Sequence, residues 1–443
     1  MKNKNESDQK KILIRKALQI ANSGIEAVLP DKVISKKISF KHNLLQVGKK
    51  VFSIDAKLFV VGAGKASALM AKAIEEIISP TKINDGIVIS NTTLKTKKIK
   101  IIKASHPIPN FSGLNGAKKI LHLTENLNKK DTVINLLSGG GSALFTLPVE
   151  RVLFKDLQLL TKQLIEGGVE VYEIQKIRKH LSKIKGGRFA QHLYPSQVIS
   201  LVISDVINPK DIVAAGPLEP DQSTFKEAIL ILKKYKLWSK ASQNIKKHLK
   251  QGAIGKISET PKKNSFVFKN VRTFTLANNK IALEEMAKQA KLLGYKPIIR
   301  ESPLLGNVLV ASKKISKEIT NLAKNNQFPI AYIYSSELVI KVNGQGKGGR
   351  CQEHAARIAE KLRGNFNYTF LSIGSDGVDY LEGIRGAAVN QDTYQQWSNK
   401  KIDISKHLSD NNSHFLHKIS NTLVRGGKTG TNVGDINICL LDK

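Results

Sequence analysis

The sequence predicts an α/β protein, and two observations carry that prediction. Short apolar runs rich in β-branched residues alternate with longer segments whose apolar residues recur at helical spacing. The short runs are continuously apolar, which is typical of strands buried on both faces of a parallel sheet. We therefore expect a parallel sheet covered by helices on both sides.

The first half of the chain carries most of this alternation. A helical pattern over residues 8–29 is followed by Pro30, and strand and helix patterns then succeed one another. The predicted strands cover residues 58–61, 86–90, 132–137 and 198–203. The predicted helices cover residues 66–78, 112–127, 225–235 and 243–249.

A polar stretch rich in Gly, Pro and Lys, residues 251–264, is the best candidate for a domain boundary. We therefore predict two domains, residues 1–250 and 251–443. The α/β alternation resumes in the second domain, and the runs 330–334 and 337–342 are predicted to be adjacent strands of a mixed sheet. Its other predicted elements are strands 274–276, 297–299 and 369–373 and helices 281–293, 308–323 and 349–362.

The composition of the chain disfavours nucleic-acid-binding, membrane-spanning and secreted classes of protein. The 443 residues include 71 Lys and Arg against 36 Asp and Glu, a net charge of +35. The excess of positive charge is spread along the chain, and aromatic residues make up only 6% of it. Both observations disfavour a nucleic-acid-binding surface. The same positive charge would attract anionic metabolites. No apolar run reaches the length of a membrane span. The cysteines, Cys351 and Cys439, match neither a disulfide framework nor a metal motif, and with no secretory signal we expect a cytoplasmic protein.

Two glycine-rich turns follow predicted strands, at the sheet edge where parallel α/β proteins bind ligands. Residues 62–66 (GAGKA) open a helix, and Lys65 would lie in its first turn, where a cation needs an anionic partner. Residues 138–142 (SGGGS) offer backbone amides and two hydroxyls to an anion. A structural turn and a mobile loop are the alternatives. The predicted ligand residues are Gly62, Gly64, Ser138, Gly139, Gly140, Gly141 and Ser142.

Two later glycine-rich segments are less specific. Residues 344–350 (GQGKGGR) open a helix, and Arg350 suits bidentate contact with phosphate or carboxylate, with a flexible loop as the alternative. Residues 426–435 contain Gly-Lys-Thr but lack the upstream glycine of a Walker A loop. We therefore predict only a polar ligand loop there.

Other polar residues lie at the ends of predicted elements. Asp205 follows strand 198–203 and Asp376 follows strand 369–373, where a carboxylate can bind Mg²⁺ or accept a proton. A plain turn or helix cap is the alternative for both. Arg178 and Lys185 would share one helical face before a Gly-Gly break, as an anion site or a solvated basic face. His106, flanked by prolines, is predicted to be structural.

Taken together, these segments resemble the class II glycerate 2-kinases, the family with a MOFRL domain at its C-terminus. The matching segments span nearly the whole chain. They are VVGAGKA (60–66), SHPIPNFSG (105–113), LLSGGGSALF (136–145), IRKHLSKIKGGRFA (177–190), ISDVINPKDIVAAGPLEPD (203–221), GKGGRCQEHA (346–355), IGSDGVD (373–379) and TGTNVGD (429–435).

The resemblance implies a kinase that transfers a phosphoryl group from ATP to the 2-hydroxyl of D-glycerate, with Mg²⁺. It implies a Rossmann-like domain (1–250) and a MOFRL-type α/β domain (251–443), with the active site in a cleft between them. Lys65, Asp205 and Arg350 would be catalytic, and Asp205 would also bind the metal. The other implied substrate or nucleotide contacts are the glycine-loop residues above and Arg178, Lys185, Asp376, Asn432 and Asp435.

Two other functions stay open at this stage. An NAD(P)H-dependent hydroxypyruvate or glycerate reductase would need a dinucleotide fingerprint, but Ser67 stands where its last glycine belongs. A nucleic-acid binder would explain the charge but not the glycine loops. A homo-oligomer is an open alternative to a monomer.

Overall fold

A computed structural model describes residues 2–204, 213–325 and 329–442, with the side chains of residues 2–10 left aside. Asp205 therefore lies outside the described residues. The chain forms two compact units, one continuous (Pro30–Asn278) and one discontinuous (Met1–Leu29 with Asn279–Lys443). We call them the continuous and the discontinuous unit.

Up to residue 278 the helices are α1 (Lys2–Glu26), α2 (Pro30–Lys37), α3 (Ser67–Ile77), α4 (Phe111–Leu123), α5 (Gly141–Leu144), α6 (Phe154–Glu166), α7 (Val171–His180), α8 (Arg188–Leu193), α9 (Phe225–Lys234) and α10 (Gln243–Ala253). The strands are β1 (Ile38–Lys41), β2 (Leu44–Val47), β3 (Lys50–Ser53), β4 (Leu58–Ala63), β5 (Asp85–Ser90), β6 (Ile99–Lys103), β7 (Thr132–Ser138), β8 (Gln197–Ile203) and β9 (Val271–Ala277).

The continuous unit is built on a six-stranded parallel sheet with the strand order β6-β5-β4-β7-β8-β9. The chain starts at β4, moves outward through β5 and β6, and returns to β7 on the other side of β4. This is the doubly wound Rossmann-like order, and its topological switch point lies between β4 and β7. The predicted parallel sheet is confirmed. Because β4 and β7 are buried along their whole length, the switch point has a rigid base.

The sequence analysis missed strands β1–β3 and helix α6, and it did not foresee the apolar core that the predicted helices α9 and α10 share with α6 and α7. Strands β1–β3 form a separate antiparallel sheet whose residues are mostly exposed, so its apolar pattern is weak. Helices α6, α7, α9 and α10 share their own apolar core, including Leu160, Ile174, Ile177 and Phe225. This core fixes the position of α7, which carries Arg178.

The discontinuous unit contains α1 and the remaining elements. Its helices are α11 (Asn279–Leu292), α12 (Val308–Asn325), α13 (Arg350–Leu362), α14 (Thr393–Asn399), α15 (Ile404–Ser409) and α16 (Ser413–Ile419). Its strands are β10 (Lys296–Ile299), β11 (Leu304–Asn307), β12 (Ile330–Val339), β13 (Tyr368–Gly374), β14 (Ile384–Asn390), β15 (Leu423–Arg425) and β16 (Asp435–Leu441).

These strands form the predicted mixed sheet, with the order β10-β12-β16-β13-β14-β15 and β11 beside the second half of β12. The predicted pair of strands at 330–334 and 337–342 is wrong. A single strand, β12, runs through both because β16 pairs with it without interruption from Ile330 to Ser336. The sequence analysis also missed β16 itself, although its seven residues are all buried.

The chain does not divide at the predicted boundary between residues 250 and 251. The continuous unit ends later, at Asn278, and the first 29 residues belong to the discontinuous unit. Strand β9 pairs in parallel with β8, from Val198↔Val271 onward, so the chain stays in the first sheet until Asn278. Helix α1 packs instead against α11, so closely that a Cβ on Gly24 would lie 2.6 Å from the Met286 Cγ atom. Tertiary packing, rather than local composition, therefore sets the boundaries. Among the described residues, no helix is long and apolar enough to cross a membrane.

One buried carboxylate fixes the edge of the parallel sheet. Glu75 on α3 is 7% exposed and accepts hydrogen bonds from the backbone N–H groups of Lys97, Lys98 and Ile99, at 2.6–2.7 Å. We expect Glu75→Ala to lower the free energy of unfolding by about 2–3 kcal/mol, because three backbone donors, one of them fully buried, lose a charged acceptor. Denaturant unfolding measures this change.

The neighbouring Glu76 provides the matched control. Its side chain is exposed and its ion pair with Lys72 is long, at 4.0 Å. Glu76→Ala should change the free energy of unfolding by less than about 0.5 kcal/mol. Equal effects at the two positions would contradict the role assigned to Glu75.

Candidate functional site

The two glycine-rich turns meet at the switch point of the parallel sheet. The turn after β4 donates its backbone N–H groups to other parts of the protein. Gly64 N donates to Ile89 O (3.1 Å), Lys65 N to Gly139 O (2.9 Å) and Ala66 N to Ser138 Oγ (3.0 Å). These amides are committed to the fold, so the expectation that they bind an anion is not supported by the geometry.

Close approach of the two turns explains the glycines in the first one. A Cβ on Gly62 would overlap the Leu136 carbonyl group, and a Cβ on Gly64 would overlap Ser138 Oγ. Ser138 also shares a 3.0 Å hydrogen bond with Ser67. Gly62, Gly64 and Ser138 therefore fasten the two turns together, a structural role that the sequence analysis weighed as the alternative.

The second turn keeps donors for a ligand. Gly140 adopts a left-handed backbone (φ +81°) that favours glycine, and the short helix α5 starts at Gly141 without a side-chain cap. The first N–H groups of a helix have no acceptor within the helix. The backbone of Gly139, Gly140 and Gly141 is thus the part of the predicted cradle that suits an anion.

Two cations from the basic segment lie beside this turn. Arg178 Nη1 donates to Ser142 Oγ at 2.7 Å, and within the described residues it pairs with no carboxylate. Burial lowers the pKa of Arg178 to about 10. Lys185 Nζ donates to the carbonyl oxygens of Phe145 (2.8 Å) and Ala214 (3.4 Å). Burial and the Arg178 charge lower the pKa of Lys185 well below its ordinary value.

The predicted helical face shared by these two residues is wrong. Helix α7 ends at His180, and Lys185 lies in the turn that follows it. The fold nevertheless brings them together, because Ser142, Arg178 and Lys185 line one cavity of about 10 Å³, room for a single water molecule. In the described part of the chain Arg178 has no carboxylate partner, whereas Lys185 holds the backbone at Phe145 and Ala214.

Two further residues, His106 and Gln175, lie at this site, although the sequence analysis did not assign them to it. His106 lies against the second turn, where a Cβ on Gly140 would be 3.0 Å from its Cδ2 atom and 3.1 Å from Lys65 Cγ. Gln175 Nε2 donates to Ser142 Oγ at 3.2 Å. Gln175 stands one helical turn before Arg178, and that spacing was the signal that could have revealed it.

A second cluster of predicted residues lies in the discontinuous unit. Arg350, the first residue of α13, donates to Asp435 through Nε and through Nη2, the latter to Oδ1 at 2.7 Å. Asp435 is 1% exposed, and its charge raises the pKa of Arg350 well above the ordinary value. The guanidinium edge predicted to clamp a ligand is therefore already paired within the protein.

The segments IGSDGVD and TGTNVGD interlock beside this ion pair. Val433 N donates to Ser375 Oγ (2.9 Å), and Thr429 N donates to the backbone oxygen of Asp376 (3.1 Å). The Asp376 carboxylate also accepts from Val378 N at 3.1 Å, which is the turn that was the alternative to a ligand role. The fold thus gathers Arg350, Asp376, Asn432 and Asp435 at the starts of α13 and β16.

Asp379 has a different role in the same place. Its buried carboxylate accepts from the backbone N–H groups of Cys351 (3.0 Å) and Gln352 (2.9 Å). It therefore caps the N-terminus of α13, whose first residue is Arg350. Asp379, the last residue of the segment IGSDGVD, thus orients the helix that carries Arg350.

These observations define the class of protein: a doubly wound α/β protein with a glycine-rich turn at its switch point and, beside that turn, an arginine that pairs with no carboxylate of the described residues. Comparisons with known proteins give the family. Residues 16–250 match a domain of unknown function, DUF4147, and residues 330–435 match the MOFRL family.

Curated relatives match the chain from end to end. Glycerate 2-kinase of Pyrococcus horikoshii is 33% identical over 96% of both chains. D-glycerate 2-kinase of Thermotoga maritima is 35% identical over 96% of this chain and 97% of its own. The crystal structure of the Thermotoga maritima glycerate kinase covers 97% of this chain and 100% of its own, with a TM-score of 0.77 and 32% identity. The chain belongs to the class II glycerate kinase family.

The Arg350–Asp435 ion pair generates a stability prediction. Asp435→Asn should lower the free energy of unfolding by about 2–3 kcal/mol, because it leaves a half-buried guanidinium without its counter-charge. Chemical denaturation of the full-length protein checks this. Glu284→Gln, which removes an exposed partner 3.9 Å from Lys280 in the same unit, is the control and should have almost no effect. Unchanged stability of Asp435→Asn would show that the pair contributes nothing.

Proposed function

We propose that this protein is a glycerate 2-kinase, which transfers the γ-phosphoryl group of ATP to the 2-hydroxyl of D-glycerate. Relatives with this name match the full length of the chain. The structural observation that carries the proposal is Arg178. It is a largely buried cation beside the glycines of the second turn, and no carboxylate in the described part of the chain neutralises it.

The residues of the switch point fit a phosphate-bearing nucleotide. The backbone donors of Gly139, Gly140 and Gly141 suit phosphate oxygens, and Arg178 supplies positive charge at the same place. When bound, ATP supplies the phosphoryl group. The work left to this chain is to position the reactants and to neutralise charge that develops in the transition state.

Each cation has a distinct task in the proposed reaction. Lys65 extends over the second turn, next to Gly140, and is proposed to neutralise charge on the transferred group. Arg178 holds Ser142 and faces the anion. Lys185 keeps the backbone around Phe145 and Ala214 in place through its two carbonyl contacts.

The discontinuous unit carries a second set of proposed ligand contacts. They are Arg350, Asp376, Asn432 and Asp435.

Magnesium and the cellular location complete the proposal. The described residues contain no cluster of three or more His, Cys, Asp or Glu side chains that could hold a metal. Mg²⁺ in kinases is held by one or two carboxylates together with substrate phosphates, and Asp205 remains the proposed carboxylate. Cys351 and Cys439 are both buried thiols, which suits the proposed cytoplasmic location.

A coupled assay with ATP, Mg²⁺ and D-glycerate tests the activity directly, provided that it resolves 2-phosphoglycerate from 3-phosphoglycerate. We expect the 2-phosphate as product. The absence of ATP turnover, with oxidation of NAD(P)H on hydroxypyruvate instead, would replace the kinase by a reductase.

Lys65→Ala should lower kcat by about 10²–10³-fold, because a charge that stabilises the transition state is removed. Steady-state kinetics checks this, and circular dichroism checks that the chain stays folded. Lys72→Ala, on the exposed side of the following helix α3, is the control and should leave kcat unchanged. Retained activity in Lys65→Ala would end its proposed role.

Arg178→Gln should lower kcat/KM by about 10²-fold, because the anion loses its charged partner while Ser142 keeps a neutral donor. The exposed Arg151, which contacts only Gln251 in the described region, provides the control variant Arg151→Gln. A loss of activity that is equal in both variants would point to the net charge of the protein rather than to this position.

A further inference from the structure

The hydroxyl group of Ser142 is held by two donors from the same helix. Arg178 Nη1 lies 2.7 Å and Gln175 Nε2 lies 3.2 Å from Ser142 Oγ. The two residues stand three positions apart on α7, so they face the same way. The apolar core around Ile174 and Ile177 fixes the helix and therefore the positions of both donors.

This arrangement dictates where the Ser142 hydrogen points. A hydroxyl oxygen carries two lone pairs and one hydrogen. The two donors use both lone pairs, so the hydrogen must point away from α7. Within the described residues no acceptor takes it. Ser142 is thus a donor with a fixed direction, next to the backbone N–H groups that start α5.

The side-chain oxygen of Gln175 is a second indication that this residue has a functional role. Its side chain is 8% exposed, and its buried Oε1 atom has no hydrogen-bond partner among the residues that the structure describes. A buried polar atom without a partner destabilises a fold, and native proteins retain such atoms mainly where they serve another purpose. An apolar side chain of the same length would avoid that cost but would not hold Ser142.

We propose that Gln175 is a positioning residue that, together with Arg178, directs the Ser142 hydroxyl hydrogen toward an oxyanion of the bound ligand. This inference deepens the proposed function and rests on it for the identity of that oxyanion, a phosphoryl or a carboxylate oxygen. Gln175 does not touch the ligand. It acts through Ser142, so its effect must vanish when the Ser142 hydroxyl is absent.

A double-mutant cycle tests this dependence. Gln175→Met keeps the length of the side chain and removes the donor, and Ser142→Ala removes the hydroxyl. Each single variant should lower kcat/KM by about five- to tenfold, which corresponds to one hydrogen bond. The double variant should be no worse than Ser142→Ala alone. A rise in KM for D-glycerate would identify a carboxylate oxygen as the acceptor, and a fall in kcat would identify a phosphoryl oxygen.

A second variant tests the direction of the hydrogen. Gln175→Glu places a carboxylate where the amide donates, so it should draw the Ser142 hydrogen toward α7 and pair with Arg178. We expect a larger loss than in Gln175→Met. Gln163→Met is the matched control, because Gln163 on α6 also has a buried Oε1 that finds no partner in the described ranges but makes no hydrogen bond to Ser142. It should retain wild-type kinetics.

Inorganic phosphate separates this inference from the proposed activity. Phosphate should raise the melting temperature of the wild-type protein, and Gln175→Met and Ser142→Ala should raise the phosphate concentration needed, without adding to each other. That result would support the inference even if wild-type protein failed to phosphorylate glycerate. Three results would overturn it: effects that multiply in the double variant, Gln175→Met behaving like Gln163→Met, or no stabilisation of wild-type protein by either phosphate or D-glycerate.

Discussion

The fastening of two glycine turns at one point of the parallel sheet is the constraint on which the candidate site depends. Lys65 N and Ala66 N are bonded to Gly139 O and Ser138 Oγ, and the absence of a side chain at Gly64 allows this contact. Because the first turn donates its amides to the second, it holds the second turn in place. The first turn is therefore the support for the turn that we propose as the ligand cradle.

The two arginines of the candidate sites illustrate opposite uses of the same group. Arg350 is paired in the protein with Asp435, which is almost fully buried, so its charge is already balanced. Arg178 lies beside a neutral hydroxyl and a second cation, Lys185, and pairs with no carboxylate in the described part of the chain. A largely buried cation without a counter-charge is costly, and an anionic ligand removes that cost. Electrostatics therefore favours Arg178 as the ligand-facing residue.

The sequence alone predicted β4, β7 and the turns that follow them, because continuous apolar runs and glycines are local features. It did not reveal which amides are bonded within the fold, since a hydrogen bond such as Ala66 N to Ser138 Oγ joins residues 72 positions apart. Gln175 stayed hidden for the same reason, because its significance comes from Ser142, which lies on another element.

The sequence by itself determined the α/β class, the parallel and mixed sheets, the glycine turns and the resemblance to glycerate 2-kinases, because all of these are written in local patterns of residues. Only the tertiary structure decided where the units divide, which backbone donors form hydrogen bonds within the protein, and which arginine has a carboxylate partner. Strand β9 joins the first sheet and helix α1 joins the second unit through contacts between distant residues. Burial and hydrogen-bond partners are properties of such contacts, and no local pattern specifies them.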